Sequence, residues 1–167
     1  MTLPSVHAYD YVNSTYDSVR DVLKLDAVGI FQRATTTATA RAKALTSTIR
    51  VKLGPIEVGA EVILRVTSIE ERALERIGPA MHVHLTWEAA PSPDLFPVMT
   101  ATLTVFALSP TETQLDFHGT YVPPLGALGA AFDKAIGHRI AEAAARRFLE
   151  DAAERLRTDV RASHGPP

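Results

Sequence analysis

The chain has no cysteine among its 167 residues, which excludes disulfides and thiolate chemistry. It also lacks an excess of charge of either sign. Lys and Arg total 17 against 19 Asp and Glu, a formal net charge of −2, so no general attraction to nucleic acid or to an anionic membrane surface follows. No apolar run is long enough to cross a bilayer, and stable membrane insertion is not expected. The start, MTLPSVHAYDYV, has no basic patch ahead of an apolar stretch, so it does not read as a signal peptide. A cytoplasmic protein is the expectation. No Ser-His-Asp pattern, Gly-rich phosphate loop or HExxH occurs, and GALG at 126–129 is too short and in the wrong context for a dinucleotide fingerprint. No cofactor is expected. Aromatic residues are sparse at 7%, with a single tryptophan, so few large side chains are available to wall an interior.

What remains is an ordinary globular mixture, 46% hydrophobic and 22% charged. The length suits one domain with a substantial core. That domain is expected over 1–160, with RASHGPP at 161–167 as a loose tail. Val6 to Val12 mixes aromatic and β-branched residues and reads as a strand. Tyr9 and Tyr11 share one of its faces; Val6, Ala8, Asp10 and Val12 share the other, and alternation does not say which set points inward. NSTYDSVRDVL then starts a helix, with Ser14 as cap and Asp17 at the capping-box position. A second short helix is predicted over Asp26 to Arg33. ATTTATARAKAL carries both strand-forming threonines and helix-forming alanines, and is read as a helix end running into a loop.

The middle of the chain reads as strands. Thr46 to Leu53 is one, ended by Gly54-Pro55. From Glu57 to Thr67, Val58, Ala60, Val62, Leu64 and Val66 fall on one face, with Glu61 and Arg65 on the other. Arg72 to Ile77 is a further short strand ended by Gly78-Pro79. Val83, Leu85 and Trp87 alternate with His82, His84, Thr86 and Glu88. After the Pro-rich APSPDLFP, Met99, Ala101, Leu103 and Val105 alternate with threonines. After SPTET, Leu115, Phe117, Gly119 and Tyr121 alternate with Gln114, Asp116, His118 and Thr120. An antiparallel meander with one apolar and one polar face is implied. The last segment is the strongest helix: Phe132, Ile136, Ile140, Ala143, Ala144, Phe148, Ala152, Leu156 and Val160 keep three- and four-residue spacing. Starting near Leu128, it would be about 50 Å long, enough to lie across a whole sheet.

Between the last strand and this helix stands GTYVPPLGALG. Pro123 and Pro124 cannot donate ladder hydrogen bonds, so pairing stops there, and Gly126 and Gly129 let the backbone turn back. The stretch is a stiff corner that folds the helix onto the apolar face of the meander. The order of elements resembles the START-like or SRPBCC superfamily, the helix-grip fold shared with the birch-pollen allergen, over nearly the whole chain. LGPIEVGAEV, LFPVM and the run from GTYVPPLGALG through the final helix resemble a bacterial subgroup of it. The resemblance implies an α+β fold: a curved antiparallel sheet of about seven strands wrapped around the long C-terminal helix, with two short helices after the first strand. It implies a cavity between sheet and helix for a small apolar molecule such as a lipid or polyketide. It supplies no universal catalytic motif.

The side chains expected to line that cavity are Tyr9, Tyr11, Val62, Leu64, Leu85, Trp87, Leu103, Val105, Phe117, Tyr121, Phe132, Ile136 and Ile140. Small helix residues, Ala131, Ala135, Ala143 and Ala144, would leave the room opposite them, unless the core simply fills itself. His82-x-His84 places two imidazoles on one strand face. Pairing through the SPTET turn sets Thr104 opposite Asp116, Thr102 opposite His118 and His84 near Thr104, so no third ligand converges and no metal site is expected. His138 and Arg139 sit beside the apolar stripe of the last helix, and Asp133 suits its N-terminal dipole. Three functional readings stand: a carrier or sensor of a small apolar ligand; a cyclase- or dehydratase-like enzyme drawing on Tyr9, Tyr11, Asp10, Glu61, Arg65 or Tyr121; or an interaction module, a homodimer included, using Leu95 and Phe96 of the Pro-rich loop.

Overall fold

The computed structural model describes residues 3–53, 61–90, 98–122 and 134–165; within these, the side chains of 37–53, 61–63, 88–90, 98, 134–137 and 140 are left undescribed. The elements run β1 (Ser5–Val12), α1 (Tyr16–Leu53), β2 (Glu61–Leu74), β3 (Gly78–Ala90), β4 (Val98–Ser109), β5 (Glu112–Val122) and α2 (Lys134–His164). All five strands form one antiparallel sheet in the order β1-β5-β4-β3-β2. Consecutive strands β2 to β5 pair as a meander, and β1 closes against β5. Both helices lie on the same face of the sheet. The architecture is α+β, an antiparallel sheet with a long helix held against it.

Alternation decided the sheet. Met81, Val83, Leu85, Trp87, Met99, Ala101, Leu103, Val105, Leu115, Phe117 and Tyr121 are all buried on the helix-facing side. The β4–β5 register follows the expected turn: Thr104 faces Asp116 and Thr102 faces His118, with Ser109 opposite Glu112. Among the described residues there are five strands rather than about seven, and two corrections account for the difference. Thr46 to Leu53 is helical, the end of α1. Its β-branched residues suggest a strand, but propensity is a weak prior beside the packing of α1 on α2. The short strand expected at Arg72 to Ile77 is the end of β2 plus a turn. A bulge between Val66 and Ser68 shifts the alternation and lets β2 run on to Leu74. Gly78 then leaves the turn at φ +90, a conformation that favours glycine.

The two predicted short helices are α1 with a break at Asp26, whose φ −150 and ψ 48 are not helical. The Asp26 carboxylate accepts from Gly29 N–H at 3.0 Å and restarts the helix as a cap. A Cβ on Gly29 would fall 2.4 Å from that carboxylate, so the cap requires glycine there. At the start of α1 the cap is Thr15 rather than Ser14: its Oγ1 accepts from Ser18 N–H at 3.2 Å. At the other end, Arg161, Ala162, Ser163 and His164, read as tail from sequence, continue α2. His164 Nδ1 bonds the Val160 carbonyl at 2.7 Å. The GTYVPPLGALG corner from Pro123 on, and the APSPDLFP loop beyond Ala90, lie outside the described residues.

β1 settles which of its faces is inner. Val6 and Val12 are buried, Ala8 packs against the core, and Tyr9 is 59% exposed. Asp10 turns inward at the end of the strand because Arg157 of α2 meets it at 3.7 Å and bonds the Tyr11 carbonyl as well. A cation 146 residues away along the chain therefore fixes the side on which two tyrosines lie.

Candidate functional site

Across the inner face the side chains fall into rows. One row, near the end of the sheet that meets the start of α2, is Leu64–Trp87–Met99–Tyr121. All four are at least 95% buried. The next row contains Leu85, Ala101 and Gly119, small in its centre. A Cβ on Gly119 would lie 3.0 Å from Met99 Sδ and 3.2 Å from Phe117 Cε1, so those two side chains fold over it. Beyond are Val83–Leu103–Phe117 and Met81–Val105–Leu115, all fully buried.

The helices contribute unevenly. Phe148 of α2 sits amid an aromatic cluster. Its ring lies edge-on to Trp87 at 5.2 Å, and 5.6 Å and 5.8 Å from Phe117 and from Phe31 of α1. That part of the interior is filled. Ten residues earlier, His138 meets Tyr121: the rings stack at 6.3 Å, and Nδ1 is 3.1 Å from the Tyr121 hydroxyl. Between these two contacts, the buried residues of α2 with described side chains are Ala141, Ala144 and Ala145.

Two polar atoms stand in the apolar row. Trp87 Nε1 is buried and has no hydrogen-bond partner. Tyr121 has one, and His138 Nε2 lies 3.6 Å from Glu142 Oε1, one turn further along. His138 Nδ1 thus pairs with the phenol while Nε2 faces the Glu142 carboxylate at ion-pair distance. His138 and Glu142 are each about half exposed, so the buried hydroxyl touches an imidazole that itself reaches solvent. Burial raises the Tyr121 pKa above its ordinary 10.0, and the Glu142 charge adds to the shift; the phenol stays protonated through the physiological range.

The expected lining residues divide accordingly. Leu64, Trp87 and Tyr121 come together in one row, Leu85 sits in the next, and Leu103, Val105 and Phe117 lie deeper in the packed core. Tyr9 and Tyr11 do not join them: they face away from the helices, their rings 5.8 Å apart on the outer surface of the sheet. Val62 lies on β2, and Ile136 and Ile140 on α2, without described side chains; Phe132 lies outside the described residues. Of the alanines expected to leave room, Ala144 is buried, whereas Ala143 lines an outer cleft with Arg139, Glu142 and Arg146. Ala141 and Ala145, not singled out from sequence, share the inner stripe. His138 belongs beside Tyr121, a pairing across the fold that no local spacing signals.

The outer face carries the four histidines of the sheet. His82 Nδ1 is 3.3 Å from Thr104 Oγ1, and His84 Nδ1 is 3.1 Å from Thr102 Oγ1, so His84 faces Thr102 rather than Thr104. His7 bonds Asp116 at 2.7 Å, and its ring is 5.2 Å from that of His118. Among the described residues, no three His, Cys, Asp or Glu side chains gather to hold a metal ion. No described helix is long and apolar enough to cross a membrane.

A one-layer antiparallel sheet with a long C-terminal helix held against it is the helix-grip fold. The chain is similar to several solved structures. The Zhui aromatase/cyclase of a Streptomyces species aligns over 99% of this chain and 100% of its own, at TM-score 0.52 and 14% identity. A Thermus thermophilus protein aligns over 93% and 99% at TM-score 0.48 and 13% identity, and norcoclaurine synthase of Thalictrum flavum over 84% and 88% at TM-score 0.32 and 14% identity. At such identities, the first of these establishes the shared fold and nothing about a ligand. No family model matches the sequence, and no curated protein matches it.

Proposed function

We propose that this chain is a cytoplasmic carrier or sensor that binds one small apolar molecule between the sheet and α2. The supporting observation is the alanine stripe. A helix is straight over ten residues, about 15 Å. Here it is held off the sheet at both ends of such a span, by His138 against Tyr121 and by Phe148 against Trp87 and Phe117. Between them the buried residues of α2 with described side chains are Ala141, Ala144 and Ala145, and the sheet presents Ala101 in its centre. Small side chains on this stretch of a helix anchored at both ends favour room for a guest. Burying roughly 300 Å² of apolar ligand surface at about 25 cal/mol per Å² supplies ~7 kcal/mol of gross driving force, against which the cost of immobilising the guest is set.

The test is a fluorescence titration with N-phenyl-1-naphthylamine, whose emission rises in apolar surroundings, alongside native mass spectrometry of the purified protein. Saturable binding at one probe per chain is expected. Absence of saturable binding would contradict the reading.

A second reading, a cyclase-like enzyme, is favoured by the Tyr121–His138–Glu142 line, which gives a buried hydroxyl a route for protons to solvent. The aromatase/cyclase neighbour shares the fold in which such a group would act. Chemical change in a bound ligand, lost in Tyr121→Phe, would support this reading over simple carriage.

A further inference from the structure

The Trp87 side chain carries a polar atom that the protein itself does not use. Trp87 is 3% exposed, and its indole N–H has no acceptor among the described residues. Leaving such a donor unmet costs about 1–3 kcal/mol. The nearby rings do not relieve it: Phe148 approaches edge-on at 5.2 Å and Phe117 is tilted at 6.0 Å, and an aromatic face is a weak acceptor. The adjacent Met99 sulfur is no partner either. A phenylalanine would fill an aromatic cluster without this cost, so the indole needs another reason to be there.

We infer that the ligand carries a neutral carbonyl oxygen, a ketone or ester, which accepts from Trp87 Nε1; this rests on the apolar-ligand reading above. The acceptor is neutral because the surroundings are. Leu64, Met99, Tyr121, Phe117 and Phe148 bring no positive charge to the row, and a buried carboxylate without a cation would cost several kcal/mol. A plain hydrocarbon would leave the N–H unmet. Tyr121 sits two strands from Trp87 in the same row, about 10 Å away. Its hydroxyl, 3.1 Å from His138 Nδ1, keeps capacity for a second hydrogen bond, to a polar group on the guest.

Two probes of one shape separate the possibilities: 1-tetralone, which has the carbonyl, and tetralin, which lacks it. Each is titrated as a competitor of N-phenyl-1-naphthylamine. The ketone is expected to compete about tenfold more tightly than the hydrocarbon, the equivalent of one net hydrogen bond. In Trp87→Phe the preference is expected to vanish or invert. A measurement without a variant uses the single tryptophan, which gives one indole N–H proton resonance. It is expected to move downfield on adding 1-tetralone but not on adding tetralin. Equal competition by both probes, with an unmoved indole resonance, overturns the inference and leaves the apolar-ligand reading intact. Failure of both probes and of N-phenyl-1-naphthylamine overturns the two together.

Discussion

Ala141→Leu distinguishes an open interior from a filled one by the sign of its effect. Ala141 is 1% exposed and lies on the stripe between His138 and Phe148. The substitution adds three carbon atoms on the buried side of α2, and leucine is nearly as good a helix former as alanine, so propensity contributes little. If the stripe faces free volume, the added carbons leave water for an apolar space. At ~0.8 kcal/mol per methylene the ceiling is about 2 kcal/mol of added stability. If the stripe is already in close contact, the same atoms force side chains off their rotamers, at a cost of about 1–3 kcal/mol. Urea unfolding followed by circular dichroism reads the difference: a higher midpoint at unchanged slope means stabilisation. For a chain of this size each kcal/mol also moves Tm by about 2–4 °C. The account predicts a neutral or raised midpoint together with weaker binding of N-phenyl-1-naphthylamine. A midpoint lowered by the equivalent of 1 kcal/mol or more would refute the argument from small residues.

Phe148→Ala is expected to cost about 3–5 kcal/mol, because Phe148 is fully buried and joins both helices to the sheet; the urea midpoint reads it. His82 is held below its ordinary pKa of 6.5, chiefly by burial, then by Arg72 and His84. The unfolded chain takes up that proton first, so stability should fall as pH drops from about 6.5 through the depressed folded value, and His82→Gln should flatten this part of the curve. The raised Tyr121 pKa acts at the other extreme: the unfolded phenol ionises first, so stability falls as pH rises above 10.0 towards the folded value. Tyr121→Phe should remove its share of that alkaline loss while costing about 0.5–1.5 kcal/mol at neutral pH, as the bond to His138 goes. An alkaline limb unchanged by the substitution would contradict the burial argument.

Much of this fold is legible in the chain because a strand with one covered face must alternate. β3, β4 and β5 follow that rule residue by residue, and the two-residue turn at Pro110 and Thr111 pins the register between β4 and β5. The β3–β4 register is harder to read, since the loop between them sets no fixed offset, and His84 falls opposite Thr102 instead of Thr104. Alternation also fails where both faces look alike. In β1 each face mixes apolar and polar groups, and Arg157, from the far end of the chain, decides the matter by pairing with Asp10. Thr46 to Leu53 misleads for a different reason: local propensity favours a strand, while tertiary packing carries the helix through. For the site, Trp87 and Tyr121 are visible as large residues in phase on the inner face. Their row, the His138 contact and the unmet indole N–H are properties of the assembled sheet and helix, which no spacing along the chain encodes.

The claim that a guest sits beneath the alanine stripe is tested most directly by nuclear Overhauser contacts between bound 1-tetralone and methyl-labelled protein. The account predicts contacts to the methyl groups of Ala141, Ala145 and Met99, together with the Trp87 indole proton. Contacts confined to the outer face of the sheet, around Tyr9 and Tyr11, or to the cleft beside Arg139 and Arg146, would contradict it.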